Sequence, residues 1–170
     1  MYSLVANMPT LKLLLSYCCQ NSLAIHQMDV ETAFLNGRVL SEVYVKQPMG
    51  YESGTDKVYI LNKSLYVLKE SPSAWYKCFN NFLTNYGFRK TKYGYCLYVR
   101  KENVLTVYIL LFVDDLLICC GNEEVIVEIK NKLSKRFRIK DMGRVSIYLY
   151  FPPSSQLLYL CFCPVGLSLL

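Results

Sequence analysis

A chain of 170 residues with 53% hydrophobic and 14% aromatic residues is one ordinary domain in size, able to bury roughly 70% of its unfolded surface, which excludes a disordered segment. Its net charge of +6 suits a polyanionic partner without selecting one. Eight cysteines with no C-x-x-C pair, and a single histidine, His26, exclude a zinc finger and point to free thiols in a reducing intracellular compartment, not to secretion. The one long uncharged run, residues 145–170, is interrupted by Pro152, Pro153 and Pro164, so no membrane span is expected.

Pro9 opens a helix whose stripe is Leu11, Leu14, Leu15 and Cys18. Residues 24–30 alternate as a strand, with Ala24, His26, Met28 and Val30 on one side and Ile25, Gln27 and Asp29 on the other. A short turn or helix over 31–36 stops at Gly37. Strands follow at 42–46 and 57–61, around a loop marked by Pro48, Gly50 and Gly54. Ser71 as N-cap and Pro72 in the first turn begin a helix with Trp75, Phe79, Phe82, Leu83 and Tyr86 on its apolar face, ended by Gly87. Residues 96–100, 104–112 and 116–120 predict a three-stranded meander. Asn122 then caps a helix carrying Ile126, Ile129, Leu133 and Phe137, with Glu123 and Glu124 at its start and Lys135 and Arg136 at its end, matching the macrodipole. The cations Lys130, Lys132, Lys135, Arg136, Arg138 and Lys140 read either as a phosphate contact or as a solvated helix face.

Asp114 and Asp115 interrupt an otherwise uncharged run from 104 to 122. Two adjacent carboxylates there must reach water, as in a hairpin turn, or face a cation, and magnesium prefers oxygen ligands. Asp29 stands 85 residues earlier than Asp114, also at a strand end. Neighbouring strands would gather three carboxylates, the arrangement in which two metal ions about 3.5 to 4 Å apart assist nucleotidyl transfer.

The run Gln27-Met28-Asp29-Val30-Glu31-Thr32-Ala33-Phe34-Leu35-Asn36-Gly37 resembles the first catalytic motif of copia-type LTR-retrotransposon reverse transcriptases. The likeness continues through Val45-Lys46-Gln47-Pro48-Met49-Gly50-Tyr51, Lys63-Ser64-Leu65-Tyr66-Val67-Leu68-Lys69, Trp75-Tyr76-Lys77 and Leu110-Leu111-Phe112-Val113-Asp114-Asp115, and ends with Lys140-Asp141-Met142-Gly143. It implies an α+β fold: a reverse-transcriptase palm with partial fingers over residues 1–149, an antiparallel sheet with helices packed on one face, and a divergent apolar tail over 150–170 outside the ancestral domain. It also implies an RNA-directed DNA polymerase, part of a transposable element's polyprotein and its DNA integration cycle. Catalysis would fall to Asp29, Asp114 and Asp115. The metal positions would be Asp29, Val30, Asp114 and Asp115, holding two Mg²⁺ ions with Mn²⁺ as the alternative. Phe34 and Lys69 would bind the nucleotide, Phe34 as an aromatic gate against a 2′-hydroxyl and Lys69 as a cation for phosphate. The implied partners are an RNA or DNA template with primer, dNTPs, and the thumb, RNase H and integrase segments of the polyprotein, in cytoplasm or nucleus.

Departures from the family pattern keep two alternatives open, an inactive relic that retains the fold and a nucleic-acid-binding module without catalysis. Phe112 replaces the usual Tyr, Val67 a Gly, Glu70 a Gln, Ser73 an Arg and Gly94 an Asp. Val67 is the most consequential of these, since a β-branched residue enters where backbone would approach the nucleotide or take unusual φ/ψ.

Overall fold

The computed structural model describes residues 6–39, 41–53, 57–92, 94–102, 104–150 and 159–164, with side chains up to residue 145. Helix α1 (Met8–Gln20) begins where Asn7 accepts a hydrogen bond from the Thr10 N–H at 2.9 Å, so the cap lies two residues before Pro9. Strand β1 (Ala24–Val30) leads through Thr32, in the left-handed region at φ 53, into a short 3-10 helix (Ala33–Asn36). The strands predicted over 42–46 and 57–61 shrink to the two-residue pair β2 (Tyr44–Val45) and β3 (Tyr59–Ile60).

Helix α2 (Ser71–Asn85) has Glu70, not Ser71, at its N-cap position, with no capping bond from the Glu70 side chain; the Ser71 hydroxyl instead donates to the Leu65 carbonyl and ties the preceding loop to the helix. β4 (Arg89–Lys90) precedes the predicted meander of β5 (Leu97–Glu102), β6 (Leu105–Phe112) and β7 (Asp115–Cys120). Asn122 caps α3 (Glu123–Arg136), as expected, by accepting the Glu124 N–H at 2.8 Å. β8 (Ile139–Tyr150) and β9 (Tyr159–Pro164) complete one antiparallel sheet in the order β4-β5-β6-β7-β1-β8-β9. β9 comes from the stretch that the sequence reading places outside the domain.

The helices cover both faces of this sheet, which corrects the one-face expectation. Residues paired directly across antiparallel strands share a face, so Ile25, Gln27, Asp29, Asp115, Leu117, Cys119 and Tyr108 lie together. α1 covers part of that side, with the Tyr17 ring edge-on to Tyr108 at 5.5 Å. On the opposite side Phe79 of α2 meets Tyr98 at 6.1 Å, and Lys130 of α3 reaches His26 at 2.7 Å. The reason is β7: Leu116, Leu117, Ile118, Cys119 and Cys120 are all buried, and a strand apolar on both sides needs cover on both.

Candidate active site

β1 is the central strand that brings the acids together. Its antiparallel register with β7 sets Asp29 directly opposite Asp115, and the Val30 N–H donates to the Asp114 carbonyl at 2.8 Å. Between β6 and β7 the chain reverses at Val113, whose φ of 58 is costly for a β-branched residue. The Trp75 indole N–H of α2 donates to the Val113 carbonyl at 2.8 Å and holds this turn from behind.

Each carboxylate of the pair is already engaged on one side. The Tyr66 hydroxyl donates to Asp114 Oδ2 at 3.1 Å, and the Gln27 amide donates to Asp115 Oδ1 at 3.0 Å. Asp114 Oδ1 is buried and accepts no hydrogen bond. Burial raises the Asp114 carboxyl above its ordinary pKa; the Tyr66 bond pulls it back, while the charges of Asp29 and Asp115 push it further up. The same contacts raise the Tyr66 phenol, chiefly through burial and then through the Asp114 charge.

The donor set suits a hard divalent cation in kind. An orphaned carboxylate oxygen beside two further carboxylates is the environment a cation would relieve. Among the described residues, however, no three His, Cys, Asp or Glu side chains stand close enough together to hold a metal ion. Val30 is 1% exposed, and its aliphatic side chain cannot ligate, leaving only its carbonyl as a donor.

Phe34 lies in the 3-10 helix after Asp29, buried, with its ring tilted against Tyr66 at 4.4 Å. Tyr66 therefore links Phe34 to Asp114, a role that sequence reasoning missed although the residue lies inside a quoted motif. Lys69 is exposed and lines a separate cavity of ≈ 570 Å³ with Arg38, Ser73 and Lys77, apart from the carboxylates. Val67 has an ordinary negative φ and is 91% exposed, so the backbone here does not require glycine. Gly37, the last residue of the first motif, does have to be glycine: an added Cβ would stand 2.8 Å from Ala74 Cβ and 2.9 Å from the Trp75 nitrogen.

Two of the basic positions read either as a phosphate contact or as a solvated helix face have carboxylate partners. Lys130 is 8% exposed and donates to both Asp141 oxygens, at 2.7 and 2.9 Å, as well as to His26. Arg138 is ion-paired with Glu31.

A sequence model of the family described as reverse transcriptase (RNA-dependent DNA polymerase) matches residues 1–152. The chain is 38% identical over 146 residues to the retrovirus-related Pol polyprotein from transposon TNT 1-94 of Nicotiana tabacum, covering 84% of this chain and 11% of that protein. It is 37% identical over 124 residues to a transposon Ty5-1 protein of Saccharomyces cerevisiae, covering 72% of this chain and 40% of the relative. To the retrovirus-related Pol polyprotein from transposon RE1 of Arabidopsis thaliana it is 33% identical over 150 residues, 87% of this chain and 10% of that one. The chain thus spans well under two thirds of these relatives. No solved structure matches it. On the family match and these relatives, the chain belongs to the copia-type retrotransposon reverse transcriptases.

Proposed function

We propose that the chain is the palm, with part of the fingers, of an RNA-directed DNA polymerase in which Asp29, Asp114 and Asp115 hold divalent cations for nucleotidyl transfer. The observation that carries this reading is the cross-strand pairing of Asp29 with Asp115 beside a buried, unbonded oxygen of Asp114. Mg²⁺, or Mn²⁺ in its place, supplies charge neutralisation for the attacking hydroxyl and the leaving pyrophosphate. The protein's own part is position: Trp75 fixes the turn, Tyr66 orients Asp114, and Gln27 orients Asp115. Phe34 serves as the gate beneath the sugar by presenting one ring edge while Tyr66 backs the other side. Lys69 attracts phosphate from the neighbouring cavity. Residues 1–149 form the polymerase unit and 150–170 an appended segment. The substrates are template with primer and dNTPs, and the polyprotein's thumb, RNase H and integrase segments are its partners. No described helix is long and apolar enough to cross a membrane.

Incorporation of dTTP on poly(rA) with oligo(dT) primer in Mg²⁺ tests the reading. Activity lost on Asp114→Asn supports it, and no activity from folded protein overturns it.

A second reading, a relic that keeps the fold without turnover, draws on a specific observation. Among the described residues no three His, Cys, Asp or Glu side chains are grouped closely enough to hold a metal ion. Turnover comparable to that of a complete family enzyme would eliminate it.

A further inference from the structure

Arg38 and Lys63 are direct partners in an isolated antiparallel bridge just beyond the 3-10 helix. Like charges placed opposite one another across strands are unfavourable, and such pairs normally recruit an acid. Here, among the described residues, neither has a carboxylate partner: the ion pairs are His26–Glu123, Arg100–Glu102, Lys130–Asp141, Arg138–Glu31 and Arg144–Glu123. Arg136, at the end of α3, joins them around a cavity of ≈ 550 Å³ that also presents Asn36 and Asn62. Among the described residues its guanidinium meets the Cys78 sulfur, at 3.8 Å, and the Phe137 ring. All three cations are exposed.

This cavity adjoins the one containing Lys69, sharing Arg38 and Val39 with it, and the second cavity adds Lys77. The carboxylate there, Glu70, accepts the Ser41 hydroxyl at 3.4 Å. Five cations without carboxylate partners over two joined cavities exceed what one phosphate group needs, and they suit a chain of phosphates.

We propose that the Arg38–Lys63–Arg136 cavity is a binding site for the phosphodiester backbone of a single-stranded nucleic acid, continuous with the Lys69 cavity. The choice of polymer rests on the polymerase reading, whereas the place rests on the opposed cations. The trough is separate from the Asp29 and Asp115 pair, so it grips a strand without touching the reacting atoms.

The test is fluorescence anisotropy of a fluorescein-labelled oligo(dA) strand across a salt series, with EDTA present so that a failure of the metal reading leaves it unaffected. The triple variant Arg38→Gln/Lys63→Gln/Arg136→Gln should bind about tenfold more weakly near 0.1 M salt. Its salt slope should fall by about 2, three phosphates at ~0.7 each. Binding and slope equal to those of the parent would overturn the proposal. So would displacement of the strand from the Lys69→Gln variant by free dTTP at concentrations matching the strand's own affinity, which would make the Arg38–Lys63–Arg136 cavity itself a nucleotide pocket. Lys63→Gln alone guards against misfolding of the triple variant. Removing the opposed charge should raise the melting temperature at low salt while weakening strand binding, and a fall in melting temperature without weaker binding would reject the idea.

Discussion

The indole of Trp75 and the carbonyl of Val113 lie 2.8 Å apart, joining the middle of α2 to a turn that the backbone would otherwise resist. A left-handed valine costs on the order of 1 to 3 kcal/mol. The turn persists because the hydrogen bond behind it and the β6 and β7 ladders in front over-determine it. Trp75 is 2% exposed and also packs on Phe79 and Phe137, so the helix cannot shift without disturbing the acids.

Trp75→Phe keeps most of the ring and removes the donor. Unfolding in urea should show a loss of about 1 to 2 kcal/mol, the cost of leaving a buried carbonyl unpaired. Incorporation, where present, should fall by tenfold or more because Asp114 loses its anchor. Unchanged stability would mean that the turn stands without the indole.

Asp114→Asn should raise stability while abolishing catalysis. The Asp114 pKa is raised in the folded state, so its ionisation disfavours folding: stability declines as pH rises through the ordinary carboxylate range to the raised value, and the penalty is complete above it. Removing the charge should lift this penalty at neutral pH, an effect softened because water reaches part of the group. Mg²⁺ or Mn²⁺ should raise the melting temperature of the parent and not of the variant. Equal cation effects on both proteins would remove Asp114 from the ligand set.

Lys130→Met attacks the opposite side of the sheet. Burial alone would raise Asp141, but the Lys130 bonds, the Gly143 N–H and the Lys130 and His26 charges outweigh it and hold its pKa low. A depressed carboxyl contributes stability above the ordinary carboxylate range, lost as pH falls through the lowered value. The variant should lose about 2 kcal/mol at pH 7, below the range for fully buried pairs because Asp141 is half-exposed. The difference from the parent should shrink in acid, as thermal melts at several pH values would show.

Gly37→Ala places a methyl group against Ala74 and the Trp75 backbone. Overpacking of this kind costs about 1 to 3 kcal/mol. The strain should pass to Trp75 and so to the Asp114 turn, making tryptophan fluorescence the direct readout. An unshifted spectrum with normal stability would show that the contact relaxes freely.

Much of the site could be read in the chain because its parts are local. The alternation over 24–30 identified the strand and put Gln27 and Asp29 on one side, and the adjacent acids marked the turn. The convergence of Asp29 with Asp115 depends on which strands are neighbours, and only the motif resemblance anticipated that. Tyr66 was invisible because its hydroxyl reaches Asp114 across 48 residues, with no periodicity to announce it. Lys130 looked like a surface cation because its helix is charged overall; only the proximity of His26 and Asp141 internalises it. Of the two grounds for concern at Val67, close approach to the nucleotide or unusual φ/ψ, the second does not arise, because the φ is ordinary. β4 and β8 escaped because two residues, or a run rich in charges, carry too little alternation.

The placement of β1 between β7 and β8 has a consequence for biosynthesis. Among the described strands of this sheet β1 is made first; it has no permanent neighbour until β7 has emerged, and its second edge stays open until β8 follows. Sequence-distant pairing of this kind is slow and leaves nascent edges exposed. A translation product ending before Asp115 would carry Asp29 on an unmatched edge, so the cross-strand acid pair waits for β7 to be made.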